Sequence, residues 1–402
     1  MLAVAEARAR ILEALNPGPG EWLPLSEALD RVLAADLVAR RSQPPCAVSA
    51  MDGYAVRAGE TQAPERWFGV VGESRAGGPP PPPVGAGQAV RIFTGAPLPE
   101  GADAIAIQEN ARREGSRVRF LRACTAGEFV RPAGLDFAEG WTGLAAGMLL
   151  GPLELGLAGA MGHGWLPVRR RPRVAILATG DELVRPGEPV PPAGIVSSNS
   201  TALAALVRRW GGEPVDLGIA ADHHDALADA LSQARGADLL LTTGGASVGE
   251  YDLLRPALGE AGMELDFWKI AMRPGKPLIF GKVMGVPLLG LPGNPVSAAV
   301  CAVVFLRPVL QQLLGRPTGL PLESAPLAAP LQANDEREEY MRATIEQGPS
   351  GPVLRPASRQ DSSMFATLAR ADALVVRPPH APPAAAGELV PWVPLARVLR
   401  AS

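Results

Sequence analysis

Between residues 174 and 315 the apolar positions switch back and forth between two periods. "VAILATG" (174–180) is a continuous apolar run that ends in a turn, which predicts a strand buried on both faces. "STALAALVRRWGG" (200–212) carries its apolar residues at helical spacing and stops at glycine, so an amphipathic helix is expected. "VDLGIA" (215–220) predicts the next strand. "DHHDALADALSQARG" (222–236) predicts the next helix, with Asp222 as its N-cap, and "ADLLLTTGG" (237–245) a third strand. "VPLLGLPGNP" (286–295) predicts a strand that runs into the helix "VSAAVCAVVFLRPVLQQLLG" (296–315). Strands alternating with helices predict a mostly parallel sheet covered on both faces, a three-layer α/β/α domain.

The flanks have another texture. Before residue 170 short β-like pieces, "AVRIFTG" and "RVRFLRA", stand among Gly/Pro turns and the run Pro79–Pro83. "RRRPR" (169–173) marks a boundary, not a nucleic-acid patch, since it lacks aromatic partners and leads straight into a strand. Beyond Pro317 short proline-spaced pieces predict a small β domain. The opening stretch "MLAVAEARARILEALNPGPG" reads as a short amphipathic helix with acidic residues, not a signal sequence.

Composition narrows the class. A net charge of −3 gives no general attraction to nucleic acid or anionic membranes, and no uncharged apolar run reaches membrane-spanning length. Cys46, Cys124 and Cys301 are odd in number and far apart, which suggests neither a disulfide framework nor a zinc site. A cytoplasmic protein is expected. The three lysines, Lys269, Lys276 and Lys282, all lie in "KIAMRPGKPLIFGK" (269–282), although Lys and Arg together number 38. An arginine-rich background turns lysine into arginine wherever the swap is harmless, and it is not harmless where a compact point charge is needed. Lys282 fits chance retention, whereas Lys269 and Lys276 point to a site.

In an open α/β sheet the ligand sits beyond the carboxyl ends of the strands. There the chain places Thr179, Gly180, Asp181 and Glu182, then Gly244, Gly245, Ser247, Gly249 and Asp252, then Pro292, Gly293, Asn294, Pro295 and Ser297. Asn294 is expected as a cap with Pro295 at the first helical position, leaving N–H groups and a helix dipole for an anion. Asp181, Glu182 and Asp252 can ligate a hard divalent cation that bridges phosphate oxygens. Asp181 and Asp222 also fit as plain helix caps. The histidines (His163, His223, His224, His380) have no companion serine in an elbow sequence, so electrostatic and metal-assisted chemistry is expected instead of a covalent nucleophile.

Taken together, "SAMDGYAVRA", "TGAPLPEGADAI", "ATGDEL", "TTGGASVGEYD", "RPGKP" and "GLPGNPVSA" resemble the molybdenum insertases, bacterial MoeA and the gephyrin E domain, in order along essentially the whole chain. The resemblance implies four domains. These are an elongated, partly helical dimerisation domain (1–43 and 141–170), a β-rich domain (44–140), a MogA-like α/β domain (171–317) and a small C-terminal β domain (318–402). It implies a homodimer with a composite active site, and Mg²⁺-dependent insertion of molybdate into adenylylated molybdopterin with release of AMP. Molybdopterin adenylyltransferase and molybdoenzyme apo-proteins are the implied partners.

The implied catalytic set is Asp52, Thr94, Asp136, Asp181, Glu182, Asp222 and Asp252. Asp52, Thr94 and Asp136 match positions that face the partner's pocket, although by themselves they also read as turn and strand-end residues. Lys269, Arg273, Lys276, Pro292, Pro295 and Ser297 are the molybdate candidates, and the resemblance adds Arg342 and Ser362. Two departures stand out. Arg273 replaces a common lysine, and "QDSS" replaces Gln-Gly-Ser-His, which puts Asp361 and Ser363 beside Ser362. A molybdopterin adenylyltransferase would share the α/β domain but be much shorter. A non-catalytic gephyrin-like scaffold would lose the charges retained here.

Overall fold

The computed structural model describes residues 1–244, 258–260, 262–348 and 351–399. The chain forms two compact units, one of residues 22–29 and 35–167 and the other of the remaining chain.

The first of these holds a six-stranded sheet in the order Ala104–Ile107, Gly53–Val56, Gln88–Ile92, Trp67–Ser74, Arg117–Phe120, Ala111–Glu114. Alternation along Gly53–Val56 sends Tyr54 and Val56 to a core with Phe68 and Phe120, and Ala55 to a second core with Val90 and Ile105. Both faces of this sheet are therefore covered. Outside it, Val48–Ser49 pairs with Val130–Arg131, and helix Pro152–Ala160 starts with proline in its first turn while Glu154 accepts the Gly151 N–H at 3.0 Å.

The other unit contains the α/β sheet. Its strand order is Glu213–Ala220, Arg173–Thr179, Leu239–Thr243, Val286–Leu291, Ile279–Val283, Glu264–Trp268. The first four are parallel, and the last two pair antiparallel. Val174, Ile176 and Leu289 face helices Ser198–Arg209 and Pro295–Leu313, while Ala175, Leu177 and Leu288 face helix His224–Gln233. This is the three-layer α/β/α arrangement that the two periods predict. The N-terminal helix Val4–Glu13 buries Val4, Ala7 and Ile11 in the same core as Leu310 and Leu313, whereas the family resemblance implies a domain that joins it to residues 141–170. Its apolar stripe matches that core, and this determines where it packs.

The helix Pro295–Leu313 is long and apolar enough to cross a membrane, but 83% of it lies inside the protein, so it is a core helix. Its middle widens into a π turn at Ala302–Leu306, just before Pro308, which lacks the N–H an α turn would need there.

A second sheet in this unit has the order Met272–Arg273, Glu338–Gly348, Ala373–Arg377, Leu389–Pro394, Glu323–Pro326, with Gly351–Pro356 paired to Glu338–Gly348. Its first strand comes from the lysine window.

Candidate active site

Register brings the candidate loops of the α/β domain to one rim. Thr179 pairs with Ala220, Ala178 with Thr243 and Thr243 with Leu291. Gly290 pairs with Ile279, and Ile279 with Trp268. The antiparallel turn of Ile279–Val283 means that Glu264–Trp268 runs in the direction of the parallel strands. Its carboxyl end, and the loop 269–278 after it, therefore stand at the same edge as Gly180, Gly244 and Pro292. At the ordinary strand spacing, Asp181 and the lysine loop are about 19 Å apart along this edge.

The middle of the rim is narrow. Gly244 has φ +94°, and a Cβ on it would lie 2.3 Å from the Thr179 carbonyl oxygen, so no other residue fits. Asn199, on helix Ser198–Arg209, donates through Nδ2 to Thr243 Oγ1 (2.9 Å) and to the Gly293 carbonyl (2.7 Å), tying two of the turns together. Thr179 is 3% exposed, and its hydroxyl has no hydrogen-bond partner among the described residues.

At one end stand the acids. Asp181 Oδ1 accepts the Asp222 N–H at 2.9 Å, which joins the loops after neighbouring strands. Burial, then the charges of Asp181 and Glu182, push the Asp222 carboxyl above its ordinary value. Asp222 is not the helix cap that the sequence suggests. His223 is the N-cap of His224–Gln233, and its Nδ1 accepts the Ala226 N–H. The reason is positional: the helix starts one residue later, so the first-turn N–H of Ala226 falls to the His223 ring. Gly245, Ser247, Gly249 and Asp252 lie outside the described residues. Among the described residues no group of three His, Cys, Asp or Glu side chains is close enough to form a closed metal site.

At the other end is the lysine turn. Lys269 sits at φ +76°, with its Nζ 3.9 Å from the centroid of the Trp268 ring. The Ile270 N–H donates to the Lys276 carbonyl at 3.0 Å, closing the turn. Lys276 is exposed. Arg273 is held by carboxylates: its Nε donates to Glu339 Oε1 at 2.8 Å and Nη1 to Asp335 Oδ2 at 3.2 Å. The hydrogen bond to Glu339 raises the guanidinium's pKa. Lys282 is exposed on Ile279–Val283, opposite Glu264, on a strand paired on both sides instead of at a sheet edge.

Between the two ends lies the start of the long helix. Pro295 occupies its first turn and Ser297 is buried there. Asn294 takes the N-cap position, but its side chain does not cap. Asn294 Nδ2 donates to Ser362 Oγ at 3.0 Å, and the Val296 N–H donates to the Ser362 carbonyl at 3.1 Å. The loop 359–364 thus docks on the helix N-terminus. Arg342, 1% exposed, shapes that loop by donating to Gln360 Oε1 (3.1 Å) and to the Asp361 carbonyl (2.9 Å). Burial lowers its pKa, with Asp361 opposing. Asp361 accepts the hydroxyl and N–H of Ser363, which lower its own pKa. A cavity of about 440 Å³ opens on the C-terminal sheet beside Arg342, Thr344 and Arg355, and the rim glycines and lysines do not line it.

In the unit built around Gly53–Val56, Asp52 and Thr94 form one pair. Thr94 donates its N–H and its hydroxyl to Asp52 Oδ1, both at 2.8 Å. The N–H bond, then the hydroxyl, lower the Asp52 pKa, and Arg91 adds to the shift. Asp136 is exposed next to Phe137, which bridges Gln43, whereas Asp52 lies beyond the far end of that pairing, past Ser49–Val130. Sequence reasoning missed Asn199 and Glu339. Asn199 does carry a signal, the "SSNS" opening of a helix at a strand's carboxyl end, whereas Glu339 has none.

A doubly covered sheet with glycine turns, carboxylates and a lysine turn along one carboxyl rim, together with the further β sheets of the chain, defines a multidomain α/β and β protein. Residues 2–162 match the MoeA N-terminal region (domain I and II), 175–312 the probable molybdopterin binding domain, and 324–395 the MoeA C-terminal region (domain IV). The chain is 34% identical to molybdopterin molybdenumtransferase of Haemophilus influenzae over 99% of this chain and 100% of that one. It is 38% identical to molybdopterin molybdenumtransferase 2 of Mycobacterium tuberculosis over 86% and 88%. A solved molybdopterin biosynthesis MoeA protein of Pyrococcus horikosii superposes with a TM-score of 0.88 at 29% identity, covering 98% of this chain and 99% of that one. The chain belongs to the MoeA family of molybdopterin molybdenumtransferases, enzymes of molybdenum cofactor biosynthesis.

Proposed function

We propose that this chain inserts molybdate into adenylylated molybdopterin and releases AMP in a Mg²⁺-dependent step. One observation carries the reading: a single rim holds an acidic end and a lysine end about 19 Å apart, with a glycine-lined helix start between them. That spacing suits one long substrate touching both ends. The oxyanion would meet Lys276, a compact point charge on an exposed turn. The Thr179 hydroxyl, without a partner among the described residues, would donate to a phosphate oxygen in the narrow middle.

The acids fit a magnesium ion. Burial first, and then the charges of Asp181 and Glu182, keep the Asp222 carboxyl raised, and a divalent cation would offset the part due to those charges. Magnesium takes one or two carboxylates and completes its shell with water and phosphate oxygens, so it needs no closed protein cage. Asp181 and Glu182 would hold it, with Asp252 as the expected third, and the ion would supply charge neutralisation at the phosphates.

Assembly follows the same reading. Trp22, Leu153 and Trp165 are 61%, 84% and 57% exposed on residues assigned to the elongated domain, and apolar side chains in that number suit a subunit interface. In the homodimer Asp52, Thr94 and Asp136 of one subunit would complete the other's rim. The proposed setting is cytoplasmic, with a molybdopterin adenylyltransferase supplying substrate and molybdoenzyme apo-proteins receiving product. The four-domain division given above belongs to this reading. AMP release from adenylylated molybdopterin, measured with and without molybdate, tests it. Molybdate-dependent release is expected. ATP consumption without it would indicate an adenylyltransferase, and no turnover a scaffold.

A further inference from the structure

The loop 269–278 leaves the central sheet at Trp268 and returns at Ile279, but its middle belongs to another sheet. Met272 and Arg273 pair in parallel with Glu338 and Glu339, and the Glu338 N–H donates to the Ala271 carbonyl at 2.9 Å. Arg273 secures this crossing with its side chain. Its Nε donates to one oxygen of Glu339 at 2.8 Å, and Nη2 lies 2.6 Å from the other. Glu339 is 8% exposed, so both of its oxygens are largely withdrawn from water where they meet the fork, while the Arg273 side chain stays partly open to solvent. Nη1 adds Asp335 at 3.2 Å. On the far side of the turn Gly275 rests on Cys301, and Lys276 follows directly.

We infer that Arg273 is a positioning residue: its two-oxygen grip on Glu339 sets the lysine turn, and with it Lys276, for the oxyanion that Arg273 itself does not touch. The inference rests on the reading of Lys276 as the residue that meets molybdate. It also accounts for arginine at this position. A planar fork spans both carboxylate oxygens in a fixed direction, and an ammonium on a flexible stem does not.

Removal of the Glu339 charge separates the two roles by sign. Were Arg273 an oxyanion ligand, Glu339→Gln would release the guanidinium and remove a competing negative charge, and molybdate would bind more tightly. A positioning role demands weaker binding.

The experiment uses the full-length chain. It measures the molybdate concentration for half-maximal AMP release, the turnover at saturating molybdate, and molybdate binding by calorimetry. Glu339→Gln and Arg273→Lys should each raise the half-saturating concentration about five- to twentyfold, with turnover changed less than about twofold, a partial loss of one charge-assisted contact because Lys276 stays in place but is less well aimed. Tighter or unchanged molybdate binding in Glu339→Gln overturns the inference. Arg273→Lys keeps the charge and carries the test if Glu339→Gln does not fold; wild-type values there also overturn it. Lys276→Ala separates the two levels. If it leaves the molybdate dependence unchanged, the oxyanion reading of the turn fails. If it alone weakens binding, only the positioning role of Arg273 fails.

Discussion

A Cβ built on Gly275 would stand 2.4 Å from the sulfur of Cys301, so the lysine turn meets the long helix at a point that admits only hydrogen. Gly275 also has φ +118°, and Cys301 is fully buried, which pushes its thiol pKa up. Gly275→Ala is therefore expected to cost about 2–4 kcal/mol, from overpacking and backbone strain together. The drop in denaturation midpoint measures it. Combining it with Cys301→Ala should recover only the part due to the sulfur, because the backbone strain stays.

Lys276→Arg keeps the charge but replaces a point with a longer planar fork. The molybdate concentration for half-maximal insertion should rise about ten- to a hundredfold, as expected when a charge-assisted contact worth roughly 1.5–3 kcal/mol is misplaced. Lys282→Arg is the internal control. It is exposed mid-strand opposite Glu264, and arginine pairs across strands as well as lysine does. Equal values for all three proteins would reduce the lysine cluster to codon drift.

The acidic end predicts a magnesium response. A raised carboxyl contributes stability that is complete below its unfolded pKa and is lost as pH rises through the folded value. At neutral pH, Asp222 therefore weighs against the fold. Magnesium should raise the melting temperature of the wild type at pH 7. The rise should shrink in Asp181→Asn and Glu182→Gln. Asp222→Asn should stabilise the magnesium-free protein. An identical magnesium shift in the wild type and both ligand variants would place the ion elsewhere.

Thr94→Val removes one of the two donors to Asp52 and keeps the main-chain one. The Asp52 pKa should move up from its lowered position but stop short of the ordinary value, since the N–H is its larger cause. Because that pKa is lowered by folding, its contribution to stability is present above the unfolded value and is lost as pH falls through the folded one. A carboxyl-resolved NMR titration reads the shift directly. No movement would mean that the hydroxyl does not bind the carboxylate in solution.

Mixed dimers test the shared site. Asp52→Ala and Lys276→Ala subunits should each be inactive alone. Co-expressed, they should regain roughly a quarter to half of the wild-type activity, because a closed twofold dimer then holds one intact rim. Two inactive but dimeric parents that fail to complement would confine each site to one subunit.

Much of this was legible in the residues. The runs "VAILATG" and "ADLLLTTGG" did become neighbouring parallel strands, and the helix after Asn294 does begin with Pro295. Periodicity and turn chemistry act over a few residues, and they are written locally. Asp222 shows where that ends. It has the chemistry of a cap, but the cap is decided by where the helix starts, and the amide of Asp222 is claimed by Asp181 from another loop.

By itself, then, the sequence determined the alternating strands and helices, the glycine turns at the strand ends and the retention of lysine in one window. These are properties of short segments, set by backbone sterics, apolar period and charge type. Only the tertiary structure decided that Arg273 would grip Glu339, that Thr94 would serve Asp52, and that Ser362 would close on the start of the long helix. Each of those pairs joins segments dozens of residues apart. A carboxylate carries no mark of the partner it will meet, because that choice follows from the register of strands and the docking of sheets, which exist only once the whole chain has packed.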